Sequence, residues 1–234
     1  MYRGVDITPP FFEIGPKAYA YGRDVVEIAR RADALGARYG VQVIITPQYT
    51  DIAPVAAAVG HVLVFAQHMD PLMPGRGVGS VLPEAVRAAG AAGVMLNHVE
   101  RRLTRDVLAR TLRRADEVGL ASMVCADDTS DAVELARLGP NIIIVESPDL
   151  IAGGQRGSDE RLAIMAANQA IWRVNPAIRV LHGAGITGPS DVYEVVAAGA
   201  QATGSSSAIF DADDPPAVLE EMIASVRRAW DAAH

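Results

Sequence analysis

Asn141-Ile142-Ile143-Ile144-Val145-Glu146 runs four β-branched apolar residues without alternation and then stops on a carboxylate. A strand with one wet face alternates polar and apolar residues, so an unbroken run marks a strand covered on both sides, as in a parallel sheet under helices. Val41-Gln42-Val43-Ile44-Ile45 repeats the pattern, and further short segments of the same kind punctuate the chain. Eight are read as strands: 10–14, 41–46, 62–66, 93–96, 121–125, 141–145, 179–181 and 201–204. The last has the poorest strand propensity, being Ala-Thr-Gly-Ser at its core.

Helical periodicity fills the gaps. Residues 24–38 place Val25, Ile28, Ala29, Ala32 and Leu35 on one face, and 105–118 do the same with Val107, Leu108, Leu112 and Ala115 before Gly119. Residues 191–198 and 216–230 are two more, each with an acidic residue near its start. Strands alternating with helices, and no low-complexity linker, predict a single (β/α)8 barrel occupying residues 1–234 as one domain. A doubly wound open sheet is the rival, and the missing G-x-G-x-x-G after the first strand counts against it.

Of 234 residues half are apolar and only 5% aromatic, which leaves Ala, Val, Ile and Leu to build the core. Net charge is −7, with no basic block and no interleaved aromatics, so neither nucleic acid nor an anionic membrane is an expected partner. The single cysteine, Cys125, closes no intrachain disulfide and reads as packing; it is compatible with a reducing cytoplasm. No apolar stretch has the length of a signal peptide at the N-terminus or of a membrane span elsewhere. No histidine, cysteine or carboxylate cluster has metal-ligand spacing, so neither metal nor cofactor is expected.

In such a barrel the working groups sit on the loops that follow the strands. Lys17 follows the first strand, Asn97-His98-Val99-Glu100-Arg101-Arg102 the fourth, and Glu146 ends the sixth. A cation to hold an anion, an imidazole to polarise a carbonyl and a carboxylate to take a proton form a complete set for proton transfer beside a carbonyl. Gly183-Ala184-Gly185 and Gly204-Ser205-Ser206-Ser207, after the last two strands, offer backbone N–H groups to a phosphate. The residues alone therefore indicate an isomerase of small phosphorylated sugars. If 98–102 opens a helical turn, its N-terminus would keep the imidazole neutral.

Each residue also has a plainer reading. Lys17 alone is most simply a surface lysine, and Glu100 with Arg101 an ion pair supporting a loop. His61 and His234 are weak site candidates. His68 belongs to a structural or interface loop, and His182 more commonly packs than binds. Asp127-Asp128 and Asp213-Asp214 read as turn residues.

At these residues the chain resembles the triosephosphate isomerase family, most of all its short archaeal type. The likeness runs through Thr46-Pro47-Gln48-Tyr49-Thr50-Asp51-Ile52, Phe65-Ala66-Gln67-His68-Met69-Asp70-Pro71, Val81-Leu82-Pro83-Glu84-Ala85, Leu96-Asn97-His98-Val99-Glu100-Arg101-Arg102, Val145-Glu146-Ser147-Pro148-Asp149-Leu150-Ile151 and Gly183-Ala184-Gly185-Ile186. The resemblance implies a TIM barrel, cofactor-independent aldose–ketose isomerisation, and a cytoplasmic role in glycolysis. It makes Lys17 the substrate-holding cation, His98 the electrophile and Glu146 the base, with Asn97 and Glu100 in support. Ala152, Gly183, Ala184, Gly185, Ser206 and Ser207 would bind substrate or its phosphate, and 147–154 would close as a lid. It also implies a homodimer or homotetramer, with the loop 71–79 as the subunit contact and Arg76 and Arg101 as interface charges.

Four departures bear on the substrate. Gly15-Pro16-Lys17 stands where the family has Asn-x-Lys, so an amide that contacts substrate is missing and space is expected in its place. Val99 stands for a frequent Ser, Ala152 for a lid glycine, and Ser205-Ser206-Ser207-Ala208 for a Leu-Ala-Ser-Gly-like run. Retained chemistry with altered walls keeps a four-carbon ketose phosphate, of erythrulose phosphate type, as the alternative to triose phosphates. A phosphosugar-binding homologue without catalysis and a phosphate-eliminating lyase are further rivals.

Overall fold

A computed structural model describes residues 1–146, 160–183 and 185–233. Eight parallel strands close into a barrel in sequential order, β8 pairing back onto β1. The strands are β1 Phe11–Ile14, β2 Gln42–Ile45, β3 Leu63–Ala66, β4 Gly93–Leu96, β5 Ala121–Ala126, β6 Ile142–Val145, β7 Arg179–His182 and β8 Ala202–Ser205. All eight sequence-read strands are present, within about two residues at either end. β8 forms despite its propensity because closure gives it a partner on each side, Ala202 pairing with both Phe11 and Leu181.

The helices are α1 Arg23–Tyr39, α2 Ile52–Ala56, α3 Pro83–Ala88, α4 Arg105–Val118, α5 Thr129–Ala136, α6 Glu160–Val174, α7 Pro189–Ala197, α8 Ser207–Phe210 and α9 Pro215–Ala233. α4 starts where Thr104 accepts the Val107 N–H, and ends where Gly119 adopts the left-handed conformation a side chain would oppose. Period-two alternation divides the strand side chains between two cores. Phe11, Ile44, Phe65, Met123, Ile142, Ile144 and Leu181 fill the barrel, whereas Phe12, Ile14, Val43, Ile45, Val64 and Ile143 meet the helices. Each large aliphatic side chain so buried contributes on the order of 1.5–3 kcal/mol relative to exposure.

Polar ties fix the loops. Asp33 on α1 accepts the N–H groups of Gly60, His61 and Val62, securing the entry to β3. Burial opposes ionisation of Asp33, but these three donors prevail and hold its carboxyl below the ordinary value. Buried Arg114 bonds Glu84 at 2.5 Å, Glu117 at 2.6 Å and the Leu72 carbonyl at 3.2 Å, which anchors the loop after β3 to α3 and α4. Asp128 caps α5 through the Asp131 N–H, and Asp214 accepts from Ala217 at the start of α9. Among the described residues no helix is long and apolar enough to cross a membrane.

Candidate active site

A cavity of about 860 Å³ opens at the C-terminal ends of the strands. Lys17, His98, Glu100, Glu146, Gly183, Gly185, Ser206 and Ser207 all line it, although they come from five different strand-following segments. Asn97 is buried just behind His98. Ala152 and Ala184 lie outside the described residues, as does the segment 147–154.

Lys17 leaves β1 in a left-handed conformation, φ 46°, that a residue with a Cβ does not favour. Two amides hold it there: the side chains of Gln48 and Gln67 donate to the Lys17 carbonyl at 2.6 and 3.0 Å. Its ammonium group pairs with Glu100 at 2.7 Å. The ion pair that the sequence placed between Glu100 and Arg101 is therefore made instead with Lys17, across 83 residues.

Asn97 is also left-handed, φ 63°. Its amide donates to the Cys125 carbonyl at 3.0 Å and accepts the Leu103 N–H at 3.1 Å, while its own carbonyl receives Arg102. These bonds pin the loop that carries His98. The segment after His98 is a tight turn closed by Arg101 N–H to the His98 carbonyl at 2.8 Å, not the start of a helix. The imidazole is held neutral by other means. Burial comes first and the neighbouring Lys17 charge second, and together they lower its pKa from the ordinary 6.5. Nδ1 accepts the Glu100 N–H at 3.2 Å, so the ring proton of the neutral form resides on Nε2.

Glu146 continues directly from β6, its N–H bonded to the Ala126 carbonyl at 2.9 Å. A Cβ on Gly183 would sit 2.0 Å from Glu146 Oε1. Glycine at 183 thus makes room for the carboxylate, a requirement the sequence reading assigned to phosphate.

Gly15 corrects a second expectation. The space its missing side chain vacates is occupied: a Cβ there would meet Ser206 Oγ at 2.6 Å and the Glu13 carboxyl oxygens at 3.4 and 3.5 Å. Glu13 itself was overlooked by the sequence reading. Its signal was present, a lone charged residue inside the apolar run Phe11-Phe12-Glu13-Ile14. It faces the barrel interior one pleat above Phe11, only 7% exposed, and lines the cavity floor. Burial drives its pKa to about 8 from an ordinary 4.5; the Thr46 hydroxyl bond at 2.9 Å opposes the shift and the Glu146 charge adds to it.

His68 and His182 do structural work. His182 is buried and bonded through Nε2 to Asn168 at 2.9 Å, and His68 pairs with Asp70 at 3.3 Å. Cys125 is buried, and its thiol is pushed well above its ordinary value first by that burial. Among the described residues no group of three His, Cys, Asp or Glu side chains is arranged to hold a metal ion.

A closed parallel barrel with a neutral imidazole and a carboxylate lining one cavity at its mouth is the frame of a (β/α)8 enzyme. The triosephosphate isomerase family model matches residues 16–222. The triosephosphate isomerase of Sulfurisphaera tokodaii is 36% identical over 228 residues, spanning 96% of this chain and 99% of that protein. That of Methanosarcina barkeri is 34% identical over 217 residues, 92% and 97% of the two chains. The crystal structure of triosephosphate isomerase from Bartonella henselae superposes with a TM-score of 0.76 at 17% identity, covering 94% and 99%, a likeness of fold. The chain belongs to the triosephosphate isomerase family.

Proposed function

We propose that the protein interconverts dihydroxyacetone phosphate and glyceraldehyde 3-phosphate, with Glu146 as base, His98 as electrophile and Lys17 as the substrate-holding cation. The observation that carries this reading is the neutral Nε2–H imidazole of His98 sharing one cavity with Glu146 and Lys17. Glu146 removes a proton from C1, the C–H pair forms the C1–C2 double bond, and the carbonyl π pair moves to O2. His98 Nε2–H donates to that oxygen as charge develops, and Lys17 offsets the negative charge of intermediate and phosphate. His98 passes its Nε2 proton to O2 and recovers one from the O1 hydroxyl. The O1 electrons form the carbonyl at C1, and the C1–C2 π pair takes the proton back from Glu146 at C2. No electron leaves the substrate, so the step balances without a redox partner.

Gly185, Ser206 and Ser207 border the same cavity, and the first N–H groups of a helical turn have no partner within it, which suits them to the phosphate oxygens. The family likeness favours triose over four-carbon substrates, and the filled space at Gly15 removes the opening that a longer sugar was expected to use. We take residues 1–234 as one domain, since β8 joins β1 and α9 packs on α1 and α7. The exposed Met73 and Val78 in the loop after β3 fit a subunit contact in a homodimer or homotetramer.

Glu146→Gln tests the mechanism. Turnover of dihydroxyacetone phosphate is expected to fall by about 10²–10⁴-fold, while the dissociation constant of a phosphate-bearing inhibitor changes by less than about three-fold. Unchanged turnover would remove Glu146 from the base role.

A further inference from the structure

Glu13 is a buried carboxyl at the floor of the cavity that the reaction above does not use. It sits in a place shaped for it. Its β8 partner in the barrel register is Gly204, where a Cβ would lie 2.9 Å from Glu13 Oε2. On the other side lies Gly15, where a Cβ would only touch the two carboxyl oxygens, at 3.4 and 3.5 Å. Gly204 therefore clears the space for the carboxyl, and Gly15 borders it. The buried Thr46 hydroxyl donates to Oε1 at 2.9 Å, and no hydrogen bond among the described residues reaches Oε2.

A carboxyl with one donor and so little water is a poor place for a charge, since burying an ion without full compensation is costly. The charged groups that face it are Glu146 from β6 and Lys17 from the loop after β1. Cys125 on β5 is acted on by both Glu146 and Glu13, and its thiol is uncharged. Glu146 opposes ionisation of Glu13 and Lys17 favours it, with burial dominant. At neutral pH Glu13 is thus a carboxylic acid, with an O–H available as a donor. A second anion beneath the base would also disfavour an anionic enediolate, so the neutral form serves both binding and chemistry.

We propose that Glu13 contacts the reacting end of the bound sugar phosphate, donating an O–H hydrogen bond from its free carboxyl oxygen to the carbonyl or hydroxyl oxygen of the substrate. The end is assigned by its neighbours, because Glu13 lines the same cavity as Lys17 and Glu146, the two groups that act on the reacting carbons and oxygens in the reading above. The assignment rests on the isomerase reading above. It places Glu13 in contact with the volume beside residue 15 that the Ser206 hydroxyl occupies.

The test is steady-state kinetics on dihydroxyacetone phosphate from about pH 6 to about pH 9.5 for the wild type, Glu13→Gln and Glu13→Leu. Glu13→Leu removes the donor and is expected to raise KM about ten-fold, the equivalent of one neutral hydrogen bond. Glu13→Gln keeps a donor that cannot ionise, and should stay within about three-fold of the wild type at neutral pH. The wild-type kcat/KM should decline above about pH 8, where Glu13 ionises, and that decline should be absent from Glu13→Gln. A merely structural Glu13 would leave KM and the alkaline limb unmoved. Wild-type KM in a folded Glu13→Leu would overturn the proposal. So would an alkaline decline retained in Glu13→Gln, which decides the matter if the leucine variant does not fold. A wild type inactive on triose phosphates would instead indict the isomerase reading itself.

Discussion

His98 shows how a neutral imidazole is made from ordinary surroundings. Its ring is half-buried beside the Lys17 charge, and one backbone N–H fixes its tautomer. A lowered pKa means that the imidazole stays neutral as pH falls through the range where a free histidine would take a proton. The kcat/KM profile is therefore expected to be flat between about pH 7 and about pH 6. Replacing His98 by Asn should cost about 10²–10³-fold in kcat, the scale of losing one oriented donor to a developing oxyanion. A pH–rate profile for both proteins checks the pair of claims, and loss of activity centred on the ordinary 6.5 would contradict the neutral assignment. Lys17 and Asn97 are the complementary case: both sit in left-handed backbone, and each is held there by side-chain amide hydrogen bonds to main-chain groups. Strain of about 1–3 kcal/mol per residue persists because those bonds over-determine it.

The strands were legible because β-branched runs covered on both faces can be little else, and β6 and β2 show it most plainly. α4 was legible to the residue, since Thr104 and Gly119 are chemical end signals and not merely correlations. The sequence reading named four helices and left out α2, α3, α5, α6 and α8, of which α2, α3 and α8 are too brief to show a helical period. At the mouth, Lys17, His98 and Glu146 could be read because each ends or follows an apolar strand. Glu13 interrupts one, but its role could not be read from that alone, because it depends on Gly204 across the barrel seam, 191 residues away in sequence. Gly15 was misread for the same reason: an absent side chain looks like a gap until the opposing Ser206 and neighbouring Glu13 are placed. The β1–β8 seam makes a prediction of its own. Gly15→Asn should be destabilising by about 1–3 kcal/mol through overpacking against the Ser206 hydroxyl, and Ser206→Ala in the same chain should recover part of the loss. Thermal melts of the two single variants and the double variant measure the coupling, and strictly additive shifts would show that the two sites do not touch.

At the scale of the molecule, a chain of net charge −7 still places cations at the mouth of its cavity. Lys17 and Arg101 border the cavity, while the remainder of the surface is knitted by pairs such as Arg38–Glu220 and Met1–Asp116 that tie α9 to α1 and the N-terminus to α4. Barrel closure brings segments as distant as residues 17 and 146 to a common mouth, so the fold performs the positioning and the loops supply the chemistry. The filled floor beneath that mouth favours the shorter sugar. The most direct measurement is kcat/KM on dihydroxyacetone phosphate and glyceraldehyde 3-phosphate, beside both enantiomers of erythrulose phosphate. The triose values should fall within about 10⁴–10⁸ M⁻¹s⁻¹ and exceed those for the four-carbon sugars. Weak triose turnover beside strong erythrulose phosphate turnover would contradict the account.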